Sequence, residues 1–266
     1  MSITRQTSTG QPHCSARRVP GSDRPMHRIL AVLALSALAF MATRAIAAPG
    51  PGDFSASPPG APPSGWVHTT LPKVTRASQF DLVDDSGTTV LRVRSDAAAS
   101  SLTRAVSIDT AATPVLQWRW EVSGAVKGSD LRHKHGDDYA ARLYVFFDYP
   151  ADRLSMSERM AIATARLLHG AQIPTAALCY VWGTAQSVGT IAPNPYTDRV
   201  RMIVLQSGNA EAGRWKDESR DLRADFQTAF GEAAPNITGI AVSADTDNTG
   251  ERVEARFGDI RFEAAR

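Results

Sequence analysis

The sequence predicts a mainly β protein: a jelly-roll-type antiparallel β-sandwich with two inserted helices. Three observations carry that expectation. Runs of alternating apolar and polar residues recur, as in VLQWRWEV, where Leu116, Trp118, Trp120 and Val122 share one face and Gln117, Arg119 and Glu121 the other. Several such runs are bounded by Gly, Pro or Asn, the residues that turns select. Only two segments show helical periodicity, and they interrupt the strands without the alternation of a parallel α/β sheet.

Before the fold comes a leader. Residues 1–25 are rich in Arg, Ser and Pro and read as an over-extended or disordered start ahead of a second methionine, Met26. Residues 26–47 then show a short basic opening (His27, Arg28), an apolar run from Ile29 to Met41 and the small-residue pattern Ala45-Ile46-Ala47. That is the layout of a secretory signal peptide cleaved before Ala48. The apolar run, about 13 residues, is shorter than the roughly 20 that cross a bilayer, so no stable membrane span is expected. A periplasmic or secreted location follows. Residues 48–65, APGPGDFSASPPGAPPSG, have the composition of a disordered linker.

The leader also sets the charge. Residues 1–47 carry six arginines and one aspartate, a net +5 against +2 for the whole chain, which leaves −3 for the rest. That balance gives no clustered basic face and argues against nucleic acid as a partner. Of two cysteines, Cys14 lies in the leader, so Cys179 has no internal disulfide partner and reads as a small buried hydrophobe.

The sandwich is expected over residues 66–263 with eight or nine strands. QFDLVDD and TTVLRVRSD flank the turn Asp84-Asp85-Ser86-Gly87, a hairpin signal. YAARLYVFFD is almost continuously apolar, as a strand covered on both faces would be, with Arg142 the charge in its middle. ALCYVWG, RVRMIVLQSG, ITGIAVSAD and ARFGDIRFE supply further strands. The first helix is placed at 156–169, where Ser155 and Glu158 have capping-box spacing and His169-Gly170 ends the run. The second is placed at 218–230, with Leu222, Phe226 and Phe230 at four-residue steps before Gly231.

Four groups of residues could carry chemistry. In RHKHGDDYAARLYVFFD, His133, His135, Asp137 and Asp138 admit three readings: a polar turn at Gly136, a carboxylate contact to a ligand, or a histidine-based transition-metal site. DTDNTGE opens like a calcium loop, with oxygen donors on Asp245, Asp247 and Asn248, and Asp259 as a further donor. Thr249 at the fifth position and Arg256 at the twelfth reject an EF-hand, leaving an ion-holding turn or a plain hairpin loop. Trp118 and Trp120 read as core, whereas Trp66, Trp182 and Trp215 have the polar or glycine neighbours of an exposed sugar platform. Arg119 and Arg142 sit within strands, so each needs a carboxylate (Glu121, Asp138 or Asp148) or faces a cleft for an anionic ligand. No nucleophile elbow, phosphate loop, zincin helix or dinucleotide fingerprint is present in the sequence.

The motifs LQWRWEV, HGDDYAARLYVFFD, CYVWG, VLQSG, RWKDESRDLRADFQTAFGE and GIAVSADTDNTGERVEARFGDIRF occur in an order that resembles the bacterial secreted family called domain of unknown function 3047. The resemblance covers roughly residues 66–263. It implies that Gly136, Asp137, Asp138, Arg142, Trp182, Gly183, Asp245, Asp247, Asn248 and Asp259 occupy motif positions, without assigning them a role. FGDIRF is also similar to the last strand of galactose-binding-like jelly-roll carbohydrate-binding modules, where the matching aspartate helps to hold calcium. The expectation is an exported binding domain for cell-envelope carbohydrate, with Arg142, Tyr144, Trp182 and Arg119 on the binding face and calcium as the one candidate cofactor. The alternatives are a polysaccharide hydrolase or lyase using Asp137 or Asp138 with His133 or His135, and a structural partner in the envelope.

Overall fold

The computed structural model describes residues 50–70, 74–169 and 175–265, without the side chains of 161 and 164–169. The expected start segment and signal peptide lie outside the described residues. The described elements are β1 (Val67–Thr70), β2 (Gln79–Asp85), β3 (Thr88–Asp96), β4 (Ser100–Ile108), β5 (Val115–Val122), β6 (Tyr139–Phe147), α1 (Met156–His169), β7 (Ala176–Gly183), β8 (Ile191–Asn194), β9 (Thr197–Ser207), β10 (Lys216–Asp221), α2 (Leu222–Phe230), β11 (Ile237–Asp245), β12 (Arg252–Phe257) and β13 (Arg261–Glu263).

Over the described residues the protein is a mainly β, jelly-roll-type sandwich of two sheets with two helices. One sheet has the order β1-β4-β11-β6-β7-β9-β8; the other runs β10-β5-β12-β3-β2, with β13 also pairing β5. All pairs are antiparallel except β7 and β9, because β8 loops to the edge and β9 returns between them. The β2–β3 hairpin turns at Ser86 (φ 57°) and Gly87 (φ 87°), two successive left-handed residues whose twist matches that of the paired strands.

The strand alternation builds the core. Leu116, Trp118, Trp120 and Val122 of β5 face Leu143, Val145 and Phe147 of β6 and Leu178, Tyr180 and Trp182 of β7 across the interior. Trp120 meets Trp182 with ring centroids 6.0 Å apart, and Trp118 meets Tyr180 at 5.2 Å. Three of these four rings have bonded polar ends: Trp120 Nε1 donates to Glu218 Oε1 (3.0 Å), Trp182 Nε1 to the Gly208 carbonyl (3.0 Å) and Tyr180 Oη to Asp225 Oδ2 (2.7 Å), while Trp118 Nε1 is buried and has no partner among the described residues. Burial raises the Glu218 carboxyl above its ordinary range.

Helix α1 starts at its predicted capping box: Glu158 N donates to Ser155 Oγ (3.2 Å), and Ser155 N donates to Glu158 Oε2 (2.8 Å). The second helix is shorter than expected. Residues 216–221 are strand β10 on the sheet edge, and α2 begins at Leu222, where the Asp221 carboxylate accepts from the amides of Arg223 and Ala224. The alternation Lys216, Glu218, Arg220 toward one side satisfies a strand as well as a helix start, and pairing with β5 selects the strand. Strands β1, β4, β8 and β10 escaped the sequence pattern: β1, β8 and β10 are short and lie at sheet edges, and the nine-residue β4 carries a mixed polar face.

The disordered linker expected over 48–65 is also corrected for its described part, residues 50–65. Phe54 is buried against Trp66, with ring centroids 5.6 Å apart, and Gly52 and Gly60 bridge Ile260 and Leu82. Gly52 is required there: a Cβ would fall 2.7 Å from that of Ile260. One aromatic anchor and two backbone bridges outweigh a composition that otherwise favours disorder.

Candidate functional site

The outward side of the seven-stranded sheet gathers the predicted site residues from both motifs. β6 sends Leu143, Val145 and Phe147 into the core, so Arg142, Tyr144 and Phe146 stand on the opposite side. Tyr144 and Phe146 are half-buried, with centroids 6.0 Å apart and planes inclined by 33°. Their neighbours on the same side are small. Tyr144 lies opposite Ala241 on β11 and Cys179 on β7, and Phe146 lies opposite Gly239 and Ala177. A Cβ on Gly239 would sit 3.1 Å from Phe146 Cδ2, so the ring leans onto bare backbone. Beyond β11, the half-buried Ser101 and Thr103 of β4 add a row of hydroxyls.

Arg142 anchors one end of this row. Its guanidinium is buried, with Nη1 donating to Tyr144 Oη (2.9 Å) and lying 3.4 Å from Asp137 Oδ1. Nη2 donates to the Asp137 carbonyl. Nε is 3.0 Å from Asp245 Oδ2 without the alignment of a hydrogen bond. The charge also lies 4.6 Å from the Tyr139 ring centroid. Its partners are therefore Asp137 and Asp245, rather than the Glu121, Asp138 or Asp148 expected from neighbouring sequence. A strand bulge between Ser243 and Asp245 turns Asp245 toward Arg142, and a bulge cannot be read from periodicity.

Burial, opposed by Arg142 and reinforced by Asp137, Asp138 and Asp247, raises the Asp245 carboxyl to about 7. Asp247 is raised by the same combination of burial and a neighbouring carboxylate, Asp138. Burial likewise lifts the Tyr144 hydroxyl well above its usual value, with Arg142 pulling the other way, and raises the Cys179 thiol to about 12. Cys179 is buried, as expected, and is held as an unreactive thiol.

The two acidic motifs meet, but as a clamp between loops. Asp138 accepts from Thr249 N (2.7 Å) and Asn248 Nδ2 (2.9 Å), joining the start of β6 to the turn after β11. Asp137 accepts from Asn194 Nδ2 at 3.2 Å, which ties in the β8–β9 turn. Beside it stands the exposed Tyr196, with Lys134 Nζ 5.0 Å from its ring centroid. Sequence reasoning missed Phe146, Asn194 and Tyr196; the first was legible as the third member of the alternation Arg142, Tyr144, Phe146.

The histidines do not join the aspartates. Residues 134–136 form a 3₁₀ turn, and the His133 and His135 rings stack at 5.3 Å. His133 Nδ1 pairs with Asp130 Oδ2 at 2.9 Å, and among the described residues no hydrogen bond links either histidine to Asp137 or Asp138. The proposed ion donors are likewise separated: Asp259 accepts from Ser55 N (2.9 Å) and from Arg261 Nη2 (2.8 Å), while Asp245 faces Arg142 and Asn248 faces Asp138. Among the described residues, no three His, Cys, Asp or Glu side chains are grouped to hold a metal ion.

The exposed tryptophan platform is not present. Trp182 and Trp66 are buried, and Trp215 is half-buried beneath Arg119, whose Cζ lies 4.4 Å from its ring centroid. Glycine after Trp182 suggested exposure; instead Gly183 admits Gln186 Oε1 to within 2.8 Å of where a Cβ would be.

No curated protein matches the chain. Among solved structures, the chain is similar to the xyloglucanase domain of NopAA, a type three effector from Sinorhizobium fredii, in complex with cellobiose: TM-score 0.40, 7% identity, covering 76% of this chain and 97% of that one. A family 12 xyloglucanase from Bacillus licheniformis gives TM-score 0.41 and 7% identity, covering 79% and 100%. The family 30 carbohydrate-binding module of a Clostridium thermocellum cellulosomal cellulase gives TM-score 0.30 and 11% identity, covering 82% and 93%. Residues 64–261, nearly the whole described sandwich, match the family described as Protein of unknown function (DUF3047), and the chain belongs to that family.

Proposed function

We propose that this protein is an exported carbohydrate-binding domain of the cell envelope, and that the outward side of its seven-stranded sheet holds the glycan. One observation carries the reading: Tyr144 and Phe146 stand side by side on the central strand, flanked by Gly239, Ala241, Ala177 and Cys179. Beside these small neighbours both rings are half-buried, and pyranose C–H faces stack on such rings. The polar groups around them supply what sugar hydroxyls need. Ser101 and Thr103 can donate or accept, and Asn194 has an amide next to Asp137. Arg142 holds Tyr144 in place rather than contacting the ligand, since its guanidinium is already surrounded by Asp137, Asp245 and the tyrosine hydroxyl.

A hydrolase working through Asp137 or Asp138 with His133 or His135 gains no support from this geometry. Asp138 is spent on Asn248 and Thr249, and the histidines on Asp130 and each other. The binding reading is tested by affinity electrophoresis and calorimetry of the full-length chain against peptidoglycan fragments and envelope polysaccharides. Tyr144→Ala and Phe146→Ala should each weaken binding about tenfold, the worth of one stacked ring. Retained affinity in both variants would remove the sheet face from the reading.

A further inference from the structure

The six-stranded sheet carries a second feature on its own outward side. There a cleft of about 470 Å³ is lined by Ser55, Gln117, Arg119, Asp217, Ser219 and Asp259, among others. That is the size of a small-molecule site, which typically encloses some hundreds of Å³. Its residues come from β3, β5, β10, β13, the β12–β13 turn and the packed segment before β1, so six parts of the fold converge on it.

Arg119 is the unusual member. It is half-buried in the middle of β5, yet among the described residues it has no ion pair and no side-chain hydrogen bond. Asp217 lies directly opposite it in the β5–β10 register, but among the described residues no carboxylate oxygen is within 4.0 Å of its nitrogens. The other cleft arginine is engaged: Arg261 Nη2 is 2.8 Å from Asp259 Oδ2, and Asp259 also accepts from Ser55. Arg119 is nevertheless held in one place. Its stem passes over Gly258, where a Cβ would fall 2.5 Å from Arg119 Cγ and 2.6 Å from Nε. Its guanidinium stacks 4.4 Å from the Trp215 ring centroid, and Trp215 Nε1 donates to Asp85 Oδ2 (2.9 Å), which fixes the ring. A planar guanidinium with its stem and one face packed, and its donors unused, is pre-organised for a planar oxyanion.

We propose that this cleft is a second binding site, independent of the Tyr144–Phe146 face, and that it takes an acidic saccharide whose carboxylate pairs with Arg119. The carboxylate lies edge-on to the guanidinium and accepts two parallel hydrogen bonds. Ser55, Gln117 and Ser219 serve the ring hydroxyls. Asp217 accepts from a hydroxyl beside the carboxylate, which selects a sugar acid over a bare anion. Asp259 stays with Ser55 and Arg261 and contributes no free charge.

The test is calorimetry of the full-length chain with tri-galacturonate and with its methyl ester, which keeps the sugars and removes the charge. The acid should bind and weaken as salt rises, and the ester should bind at least about tenfold more weakly, the worth of a charged bidentate contact. Equal binding of acid and ester, or binding of neither, would overturn the proposal with no variant involved. Arg119→Gln should lose about tenfold or more for the acid and leave the ester unchanged, and Arg119→Lys should not restore it, because an ammonium supplies neither the fork nor the stack. Tyr144→Ala should leave tri-galacturonate affinity intact, which separates this site from the sheet face. Inorganic sulfate displacing the trisaccharide at equal concentration would make the site a general oxyanion site and overturn the saccharide assignment.

Discussion

At the scale of single residues, Arg142 and Asp245 show how burial converts a sequence motif into an electrostatic unit. Two carboxylates, Asp137 and Asp245, share one buried guanidinium, so one negative charge is left over in a poorly hydrated place. The Asp245 carboxyl responds by rising from 3.8 to about 7. The folded protein therefore keeps a proton that the unfolded chain releases between those values. The contribution of this group to stability is greatest at the acid end, declines as pH rises through that window and levels off above it. Asp245→Asn removes the titration. The melting temperature of the variant, measured relative to the natural protein, should climb between about pH 4 and pH 7 and stay level beyond. A gap that instead shrinks toward pH 7 would mean that the ionised Asp245–Arg142 pair stabilises the fold.

Among the elements, the clamp between the loop before β6 and the turn after β11 matters most for the site. Asp138 satisfies the Thr249 amide and the Asn248 side chain at once, and its own carbonyl accepts from Ser129 Oγ. A buried carboxylate with two donors is removed at the cost of both bonds and of the amide left unpaired. Asp138→Ala should therefore destabilise the protein by roughly 2–4 kcal/mol in urea unfolding. Native-state hydrogen exchange localises the effect: the Thr249 amide should exchange faster, while amides in the middle of β11 keep their protection relative to the new global stability. Uniform loss across β11 would show that the clamp holds the whole strand and not the turn alone. The β10–α2 junction makes a related point. One six-residue stretch serves as an edge strand up to Asp221, whose side chain then caps the helix that follows.

For the molecule as a whole, residues 50–65 are a strap across the sandwich and not a tether. Phe54 buries its ring beside Trp66, Gly52 pairs with Ile260 at the entry to β13, and Ser55 holds Asp259 in the wall of the Arg119 cleft. The strap therefore links the chain's N-terminal side to its C-terminal strand. Phe54→Ala should cost about 3–5 kcal/mol, as removal of a buried aromatic ring does. It should also expose the Pro- and Gly-rich stretch to limited proteolysis under conditions where the natural protein resists. A small loss with unchanged protease resistance would show that the backbone bridges suffice without the ring. The same variant should weaken tri-galacturonate binding through Ser55, a coupling expected only if the cleft is assembled by the strap.

The sequence by itself determined the class of fold and most of the inner architecture. Leu116, Trp118, Trp120 and Val122 alternate in a way that only a strand with one covered face can bury, and the Ser155–Glu158 spacing marks a helix start by local hydrogen bonding. Such signals are local, so they survive without knowledge of neighbours. Tertiary structure decided what depends on approach between distant segments. Trp182 looked available because a glycine follows it, and neighbouring sequence offered Arg142 the wrong carboxylates; the opposing sheet buried the first, and a bulge in β11 brought Asp245 to the second. The strap over 50–65 and Arg119, unpaired among the described residues, belong to the same group. Pairing across 204 residues, as between Ser55 and Asp259, leaves no periodic trace in either segment. Exposure and partner choice are properties of surfaces that meet only in the folded chain.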